Sequence, residues 1–370
     1  MRRYIPTDKP DYTFIALLTA IVLFGLAMLS SASTVVGFKD FGDNYYYLKH
    51  QALYGLLPGI FLFFLAFKIN YRNLRRFAFI ILIFGVLLLV AVFIPGVGTA
   101  YGTRARSWIN VFGFSIQSSE IAKLVFLIYL SAWLEGRGQE IKTWYYGFLP
   151  FLFTLAIIAG LVIFQPDVGT VATIIIMSLA VFFVAGGRLY HFFFLGGLGL
   201  GGLALLMKLA PYSAKRLEIF LHPELDPQGI GYHINQALLA IGSGGLLGLG
   251  LGQSRQKFQY LPEVAGDSIF AVIAEELGFI FTIGFIILFV WLIYRGLKIA
   301  KNAPDDFAKY LVCGIIAWWF FQAIINIGGM LGILPMTGVP LPFVSYGGTA
   351  LAISLAAAGI VANISREARR

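Results

Sequence analysis

Ser254-Arg-Gln-Lys-Phe-Gln-Tyr-Leu-Pro-Glu-Val-Ala-Gly-Asp267 closes the one long interval, 210–267, that is too polar and too broken to cross a membrane in a chain otherwise made of hydrophobic runs. An apolar helix is predicted directly after it. Windows of about 20 apolar residues, the length that bridges a hydrocarbon core of ~30 Å, flank the interval on both sides. They lie near 12–31, 51–67, 77–94, 119–134, 147–164, 169–185 and 189–209 before it, and near 268–294, 308–331 and 347–364 after it. The pattern predicts an all-α polytopic membrane protein of about ten transmembrane helices, with one large extracellular loop between helices 7 and 8. Composition agrees: 59% of residues are hydrophobic and 12% charged, against about 25% charged in soluble globular chains.

The first apolar run, behind Met1-Arg2-Arg3, has the outline of a signal peptide with Ser31-Ala32-Ser33 as its cleavage site. The many later spans favour an uncleaved first helix. Cys313 is the single cysteine, so packing alone must hold the outer loops. His50, His191, His222 and His233 show none of the spacings of a zinc site. The net charge of +9 is informative through its placement rather than as a sign of nucleic-acid binding. Lys and Arg crowd the termini and alternate short loops, including Lys68, Arg72, Arg75, Arg76, Arg137, Lys142, Arg188, Arg295, Lys298, Lys301 and Lys309. The positive-inside bias then puts both termini in the cytoplasm and the 210–267 segment outside. Within that segment, 229–241 reads as a short helix. The glycine-rich 242–252 lacks the ending of a nucleotide P-loop and reads as flexible or closely packed backbone.

Several residues on the outer face carry possible chemistry. Asp267 stands just before an apolar helix, where Asp is a favoured N-cap worth ~1 kcal/mol; it is equally a carboxylate fixed at the membrane interface. Glu120 and Lys123, at i and i+3, share a helix face beside hydrocarbon. They are either a buried pair that locks helices or a functional site. Trp108 fits the interfacial aromatic belt. Arg104, Arg106, Lys215, Arg216, Arg255 and Lys257 are cations on the side where the charge rule predicts few, and together they suggest an anionic ligand such as a lipid pyrophosphate. Gln322 and Asn326, one turn apart in the ninth span, fit helix–helix hydrogen bonding. At ~100° per residue, Glu275 is predicted to share the Asp267 cavity and Glu276 to face away.

Motifs recur from end to end: Gly25-Leu-Ala-Met-Leu-Ser-Ser-Ala-Ser33, Arg106-Ser-Trp-Ile-Asn110, Phe114-Ser-Ile-Gln-Ser-Ser-Glu-Ile-Ala-Lys123, Gln165-Pro-Asp-Val-Gly-Thr170, Pro223-Glu-Leu-Asp-Pro227, Phe270-Ala-Val-Ile-Ala-Glu-Glu-Leu-Gly278 and Gly338-Val-Pro-Leu-Pro-Phe-Val-Ser-Tyr-Gly-Gly348. In these the chain resembles the SEDS family of FtsW, RodA and SpoVE, as a single membrane domain over 1–370. The segment Ser254 to Pro262 is closer to FtsW than to RodA, whereas Trp108-Ile-Asn110 fits both. The family's usual Leu-Pro-Glu-Ala-His-Thr-Asp is here Leu261-Pro-Glu-Val-Ala-Gly-Asp267, so Ala265 and Gly266 stand in place of His and Thr.

The resemblance implies a peptidoglycan glycosyltransferase of the bacterial cytoplasmic membrane, polymerising lipid II into a nascent glycan strand with its active site facing outside. It implies Asp267 as the essential residue, acting as general base or holding a divalent cation such as Mg or Mn. Trp108, Glu120, Lys123, Arg106, Arg216 and Glu275 would bind substrate, with Lys123 and Arg216 neutralising the pyrophosphate. It further implies a class B penicillin-binding transpeptidase and division or elongation proteins as partners, beside membrane lipid. A lipid II flippase and a non-catalytic scaffold are the rival readings.

Overall fold

A computed structural model of the chain describes residues 9–99, 107–111, 114–209, 218–220, 222, 226 and 229–368. Helices stand wherever an apolar window predicts a span. They are α1 (Tyr12–Ala32), α2 (Tyr46–Lys68), α3 (Ala78–Ala91), α4 (Ser118–Arg137), α5 (Trp144–Ile163), α6 (Val168–Val184), α7 (Leu189–Leu209), then α8 (Ile230–Ser243) within the long interval, and α9 (Ile269–Lys301), α10 (Asp306–Met330) and α11 (Gly348–Glu367). Six of these, α1, α2, α5, α9, α10 and α11, are long and apolar enough to cross a bilayer. The chain is an integral membrane protein.

Side-chain size orders the bundle. The α11 helix is rich in alanine and glycine and is the most enclosed of the six; α2 turns large side chains such as Phe61 and Phe64 outward. Where α2 meets α11, Gly55 faces Gly348 and Gly59 faces Ala352, while a Cβ on Gly359 would overlap the Phe63 carbonyl. With no hydrophobic drive between helices in lipid, such small residues let backbones approach and gain dispersion contact. Near the chain ends, Arg72 pairs with Glu367 (2.7 Å), Arg75 with Glu135 (2.8 Å) and Arg295 with Asp11 (2.8 Å). Three of the clustered cations are thereby paired with acids.

Two features depart from the sequence reading. The loop after α3 holds a small antiparallel sheet, β1 (Gly98–Thr99), β2 (Trp108–Val111) and β3 (Phe114–Gln117), in that order. Strands this short carry no alternation that could distinguish them from loop, so the all-α expectation missed them. Thr349 at the start of α11 receives the Gln117 N–H at 3.1 Å and anchors the sheet.

The second departure is a break in α9, which the hydropathy pattern presents as continuous. Gly278 has φ +76° and ψ −179° inside it. The glycine-rich stretch satisfies the backbone groups that the break releases. The Glu275 and Glu276 carbonyls accept from the N–H groups of Leu249 and Gly250 at 3.0 and 2.9 Å, and the N–H groups of Phe279 and Ile280 donate to Gly245 and Leu246 at 2.9 and 3.2 Å. In an apolar setting each such group left unpaired costs several kcal/mol. Of the two readings of 242–252, closely packed backbone is the one found. A Cβ on Gly278 would overlap the backbone nitrogen of Gly248, whose own φ is +82°. Gly278→Ala is therefore expected to cost more than the ~1–3 kcal/mol of a strained backbone alone, lowering the melting temperature of the detergent-solubilised protein by several degrees; an unchanged melting curve would contradict this packing.

Candidate active site

Two loops meet at one end of the bundle, the turn before α9 (261–268) and the connection from α10 to α11 (331–347). Two hydrogen bonds stitch them together, and a third comes from Asn326 in α10. The Tyr346 N–H donates to the Ala265 carbonyl (2.8 Å), the Ser345 hydroxyl donates to the Gly266 carbonyl (2.8 Å), and the Asn326 amide donates to the Asp267 carbonyl (2.9 Å). Ser345 Oγ also receives the Leu341 N–H at 2.8 Å. From α2, Gln51 accepts the Gly347 N–H at 2.9 Å. These contacts use the backbone of residues 265–267, so the side chains at 265 and 266 are free to be Ala and Gly.

Asp267 is not the helix cap that its position suggests. The N-cap of α9 is Ser268, one residue later, and no side-chain bond caps the helix. The Ser268 hydroxyl is used elsewhere: it donates to the Pro262 carbonyl at 2.7 Å and meets His233 Nε2 at 2.6 Å. Since its one proton goes to Pro262, the arrangement that satisfies both contacts has His233 Nε2–H donating. Asp267 instead lines a cavity of about 200 Å³ together with Glu263, His233, Asn326, Gly338 and Met330. Gly338 has φ +74°, and a Cβ there would lie 3.4 Å from Asp267 Oδ2; glycine suits both the backbone conformation and the space.

Glu120 and Lys123 form a pair of 2.7 Å, both side chains almost fully enclosed. Lys123 Nζ also donates to Gln322 Oε1 (2.9 Å) and lies 4.7 Å from the centre of the Trp318 ring. Gln322 in turn donates to the Pro340 carbonyl at 2.8 Å, and Asn326, a turn further along α10, donates to the Val339 carbonyl at 2.9 Å. The predicted helix–helix hydrogen bonds of Gln322 and Asn326 thus run to the 339–340 backbone, with Lys123 as the link to α4. Because the Lys123 ammonium is enclosed and committed to these partners, it does not line the Asp267 cavity. At the start of α6, Asp167 caps Thr170 N and receives the Ser119 hydroxyl at 3.2 Å, while Gly169 lies against Thr337 and Val339.

The remaining expected site residues are dispersed. Glu275 does not share the cavity. Its buried carboxylate accepts the Ser254 hydroxyl (2.5 Å) and the Arg255 N–H (2.9 Å), because the loop 253–257 folds back over the break in α9. Glu276 takes the Ser31 hydroxyl and pairs with Lys257 at 3.0 Å. Lys257 is thereby a buried structural cation rather than a free anion binder; Arg255 is exposed. Trp108 sits half-buried on β2 opposite Thr99 and Gln117, outside the cavity lining. Arg104, Arg106, Lys215 and Arg216 lie outside the described residues. The residues that sequence reasoning missed are His233 and Glu263. The latter has φ +50° within the quoted stretch, and neither is marked by spacing. Among the described residues, no three His, Cys, Asp or Glu side chains converge as a metal site. They do not form a protein-only cage for a divalent cation, and no chemical step below depends on one.

Comparison with known proteins shows what such an arrangement belongs to. The family profile for FtsW, RodA and SpoVE, described as cell cycle protein, matches residues 11–370. The chain belongs to this family. Stage V sporulation protein E of Bacillus subtilis is 41% identical over 361 residues, 98% of each chain. A probable peptidoglycan glycosyltransferase FtsW of Trichlorobacter lovleyi is 38% identical, covering 99% of this chain and 95% of that one. Rod shape determining protein RodA of Thermus thermophilus superposes with a TM-score of 0.72 at 28% identity, covering 98% of each chain. A chain in a structure of a peptidoglycan synthase complex that coordinates polymerization and crosslinking superposes at 0.78 with 29% identity, covering 97% and 98%. In this member of the FtsW, RodA and SpoVE family, two of the stretches that carry the resemblance contribute to the cavity wall, Leu261 to Asp267 through Glu263 and Asp267, and Gly338 to Gly348 through Gly338 and Val339.

Two expectations follow from the site. Removing one partner of the Glu120–Lys123 pair strands a buried charge at ~3–5 kcal/mol. Lys123→Met should therefore sharply lower the melting temperature, and Glu120→Leu with Lys123→Met should recover most of the loss; a double variant no more stable than the single would contradict the pairing. Burial lowers the His233 pKa from 6.5 to about 4. Below pH 6.5 the unfolded chain takes up a proton that the folded chain refuses until about pH 4, so stability falls across that window as pH falls. His233→Gln should flatten the decline, read as the difference in melting temperature between pH 7 and pH 5.

Proposed function

We propose that the chain polymerises lipid II into glycan strands on the outer face of the bacterial cytoplasmic membrane, as a peptidoglycan glycosyltransferase in division or elongation. The observation that carries this reading is the placement of Asp267: a carboxylate lining a cavity, on a turn whose carbonyls at 265, 266 and 267 are held by Tyr346, Ser345 and Asn326. In the reaction, a sugar hydroxyl of one lipid II attacks the anomeric carbon of the lipid-linked chain. The new bond is C–O, the broken bond is from that carbon to the pyrophosphate oxygen, and the electron pair leaves with undecaprenyl pyrophosphate. Asp267 takes the hydroxyl proton as general base. Holding an aqueous sugar and a lipid-dissolved prenyl chain at one interface supplies the orientation term. Arg106 and Arg216 are the cations we assign to the departing pyrophosphate.

The enclosed Lys123 is then a positioning residue. Through Gln322 it holds the Pro340 carbonyl in the loop that faces Asp267, a role different from direct neutralisation of the leaving group. The broken α9 would also suit a transporter, whose discontinuous helices present backbone groups to a ligand. Here the 245–250 backbone uses those groups, which favours the enzyme reading over a flippase. The synthase-complex likeness supports a class B penicillin-binding protein as partner.

Asp267→Asn keeps shape and removes the base. It should reduce lipid II polymerisation by purified protein at least ~100-fold, in line with the loss of general-base catalysis, while the melting temperature stays within a few degrees. Full activity in the variant would refute the assignment.

A further inference from the structure

The cavity beside Asp267 has a chemical polarity of its own. Among the described residues that line it, the charged side chains are two carboxylates, Asp267 and Glu263, with no Lys or Arg. His233 is held neutral by burial, with Nε2 engaged by Ser268. Asn326 completes the set, and its geometry is the informative one. The residue is 4% exposed, and its Nδ2 donates at 2.9 Å to two carbonyls, those of Asp267 and Val339. Those two bonds fix the amide orientation, since a flip would aim Oδ1 at two acceptors. The oxygen is therefore an acceptor, and it is buried without a hydrogen-bond partner in the protein. A buried acceptor left unpaired in a cavity wall is a place where a ligand's donor gains most.

We infer that Asn326 binds substrate, with Oδ1 accepting a hydrogen bond from a hydroxyl or amide N–H of the sugar that carries the attacking hydroxyl. This rests on the polymerase reading and deepens it. A wall of two carboxylates and an amide oxygen suits an uncharged, donor-rich ligand and repels a pyrophosphate. The cavity therefore holds the nucleophilic sugar, and the leaving group is bound outside it. Asn326 joins the two parts of the site: the same amide that positions the backbone of the base presents an acceptor to the sugar.

The test uses the full chain in detergent and a short-chain lipid-linked disaccharide. Analogues replace, one at a time, each hydroxyl or acetamido N–H of the terminal sugar by a group that cannot donate. The wild type should bind at least one analogue ~10-fold or more weakly than the parent compound, as sites built around a ligand donor do. Asn326→Leu should bind the parent and that analogue equally, whereas Asn326→Gln, which keeps both the amide donor and the acceptor oxygen, should retain discrimination between them. A purely structural role would weaken both ligands together and leave their ratio at the wild-type value, which would overturn the inference. So would a wild type indifferent to every replacement, a result that needs no variant to fold. Saturable binding of manganese alone, abolished by Asn326→Leu, would also overturn it in favour of a cation site. Failure of the wild type to polymerise would count against the polymerase reading, whereas the binding ratios decide the role of Asn326 independently.

Discussion

Backbone carbonyls that point out of a turn must find donors, and at the end of the bundle that holds Asp267 that requirement joins two distant pieces of chain. The carbonyls of Ala265, Gly266 and Asp267 are met by Tyr346, Ser345 and Asn326, some 60 to 80 residues later in sequence. Each bond contributes modestly, about 0.5–1.5 kcal/mol net, but three acting on three successive residues leave the turn little freedom. The carboxylate of Asp267 inherits that rigidity. The backbone of Asp267 is held by the clamp, and Ser268 rather than Asp267 occupies the cap position of the helix. The same dependence explains why side chains at 265 and 266 can be small: the work there is done by main-chain oxygens.

The clamp is supported from beneath by a polar network that costs energy to enclose. Glu120, Lys123, Gln322 and Trp318 share hydrogen bonds within the bundle, and Gln322 carries the connection to Pro340. A buried pair of this kind is weak evidence for stability as such. Its value here is geometric, since it couples α4 and α10 to the loop that holds Asp267. A second enclosed set, Glu275, Glu276, Lys257, Ser254 and Ser31, closes the broken α9 against the 253–257 loop and α1. The long interval is therefore anchored near its far end by the Glu275–Glu276 set, while the Lys123 set holds the facing loop at Pro340.

Hydropathy made the spans legible because the membrane requires long apolar runs, and each predicted window contains a helix. The break at Gly278 was not legible, since its flanks are as apolar as those of any continuous span and a single glycine does not announce a reversal of φ. The strands around Trp108 were too short to show a period. Asp267 was found from its place at the polar-to-apolar boundary and from family likeness, although its presumed cap role was wrong by one residue. Glu275 was misplaced because helical phasing from Asp267 assumes that the helix already includes it, and α9 starts at Ile269. His233 became visible only through its contact across the fold with Ser268, and Asn326, legible as a hydrogen-bonding residue, showed its partners at the 267 and 339 carbonyls only there. No local pattern encodes such partners.

The central claim is that the 339–346 loop sets the conformation of the Asp267 turn. Hydrogen exchange measured on the purified protein and on Ser345→Ala tests it directly. Faster exchange should appear together in peptides covering 261–268 and 339–346, with α5 and α7 unchanged, because one hydroxyl bridges Leu341 and Gly266. Exchange that rises in the 339–346 peptide while the 261–268 peptide keeps its wild-type protection would show that the turn holds Asp267 without the loop, and would contradict the account.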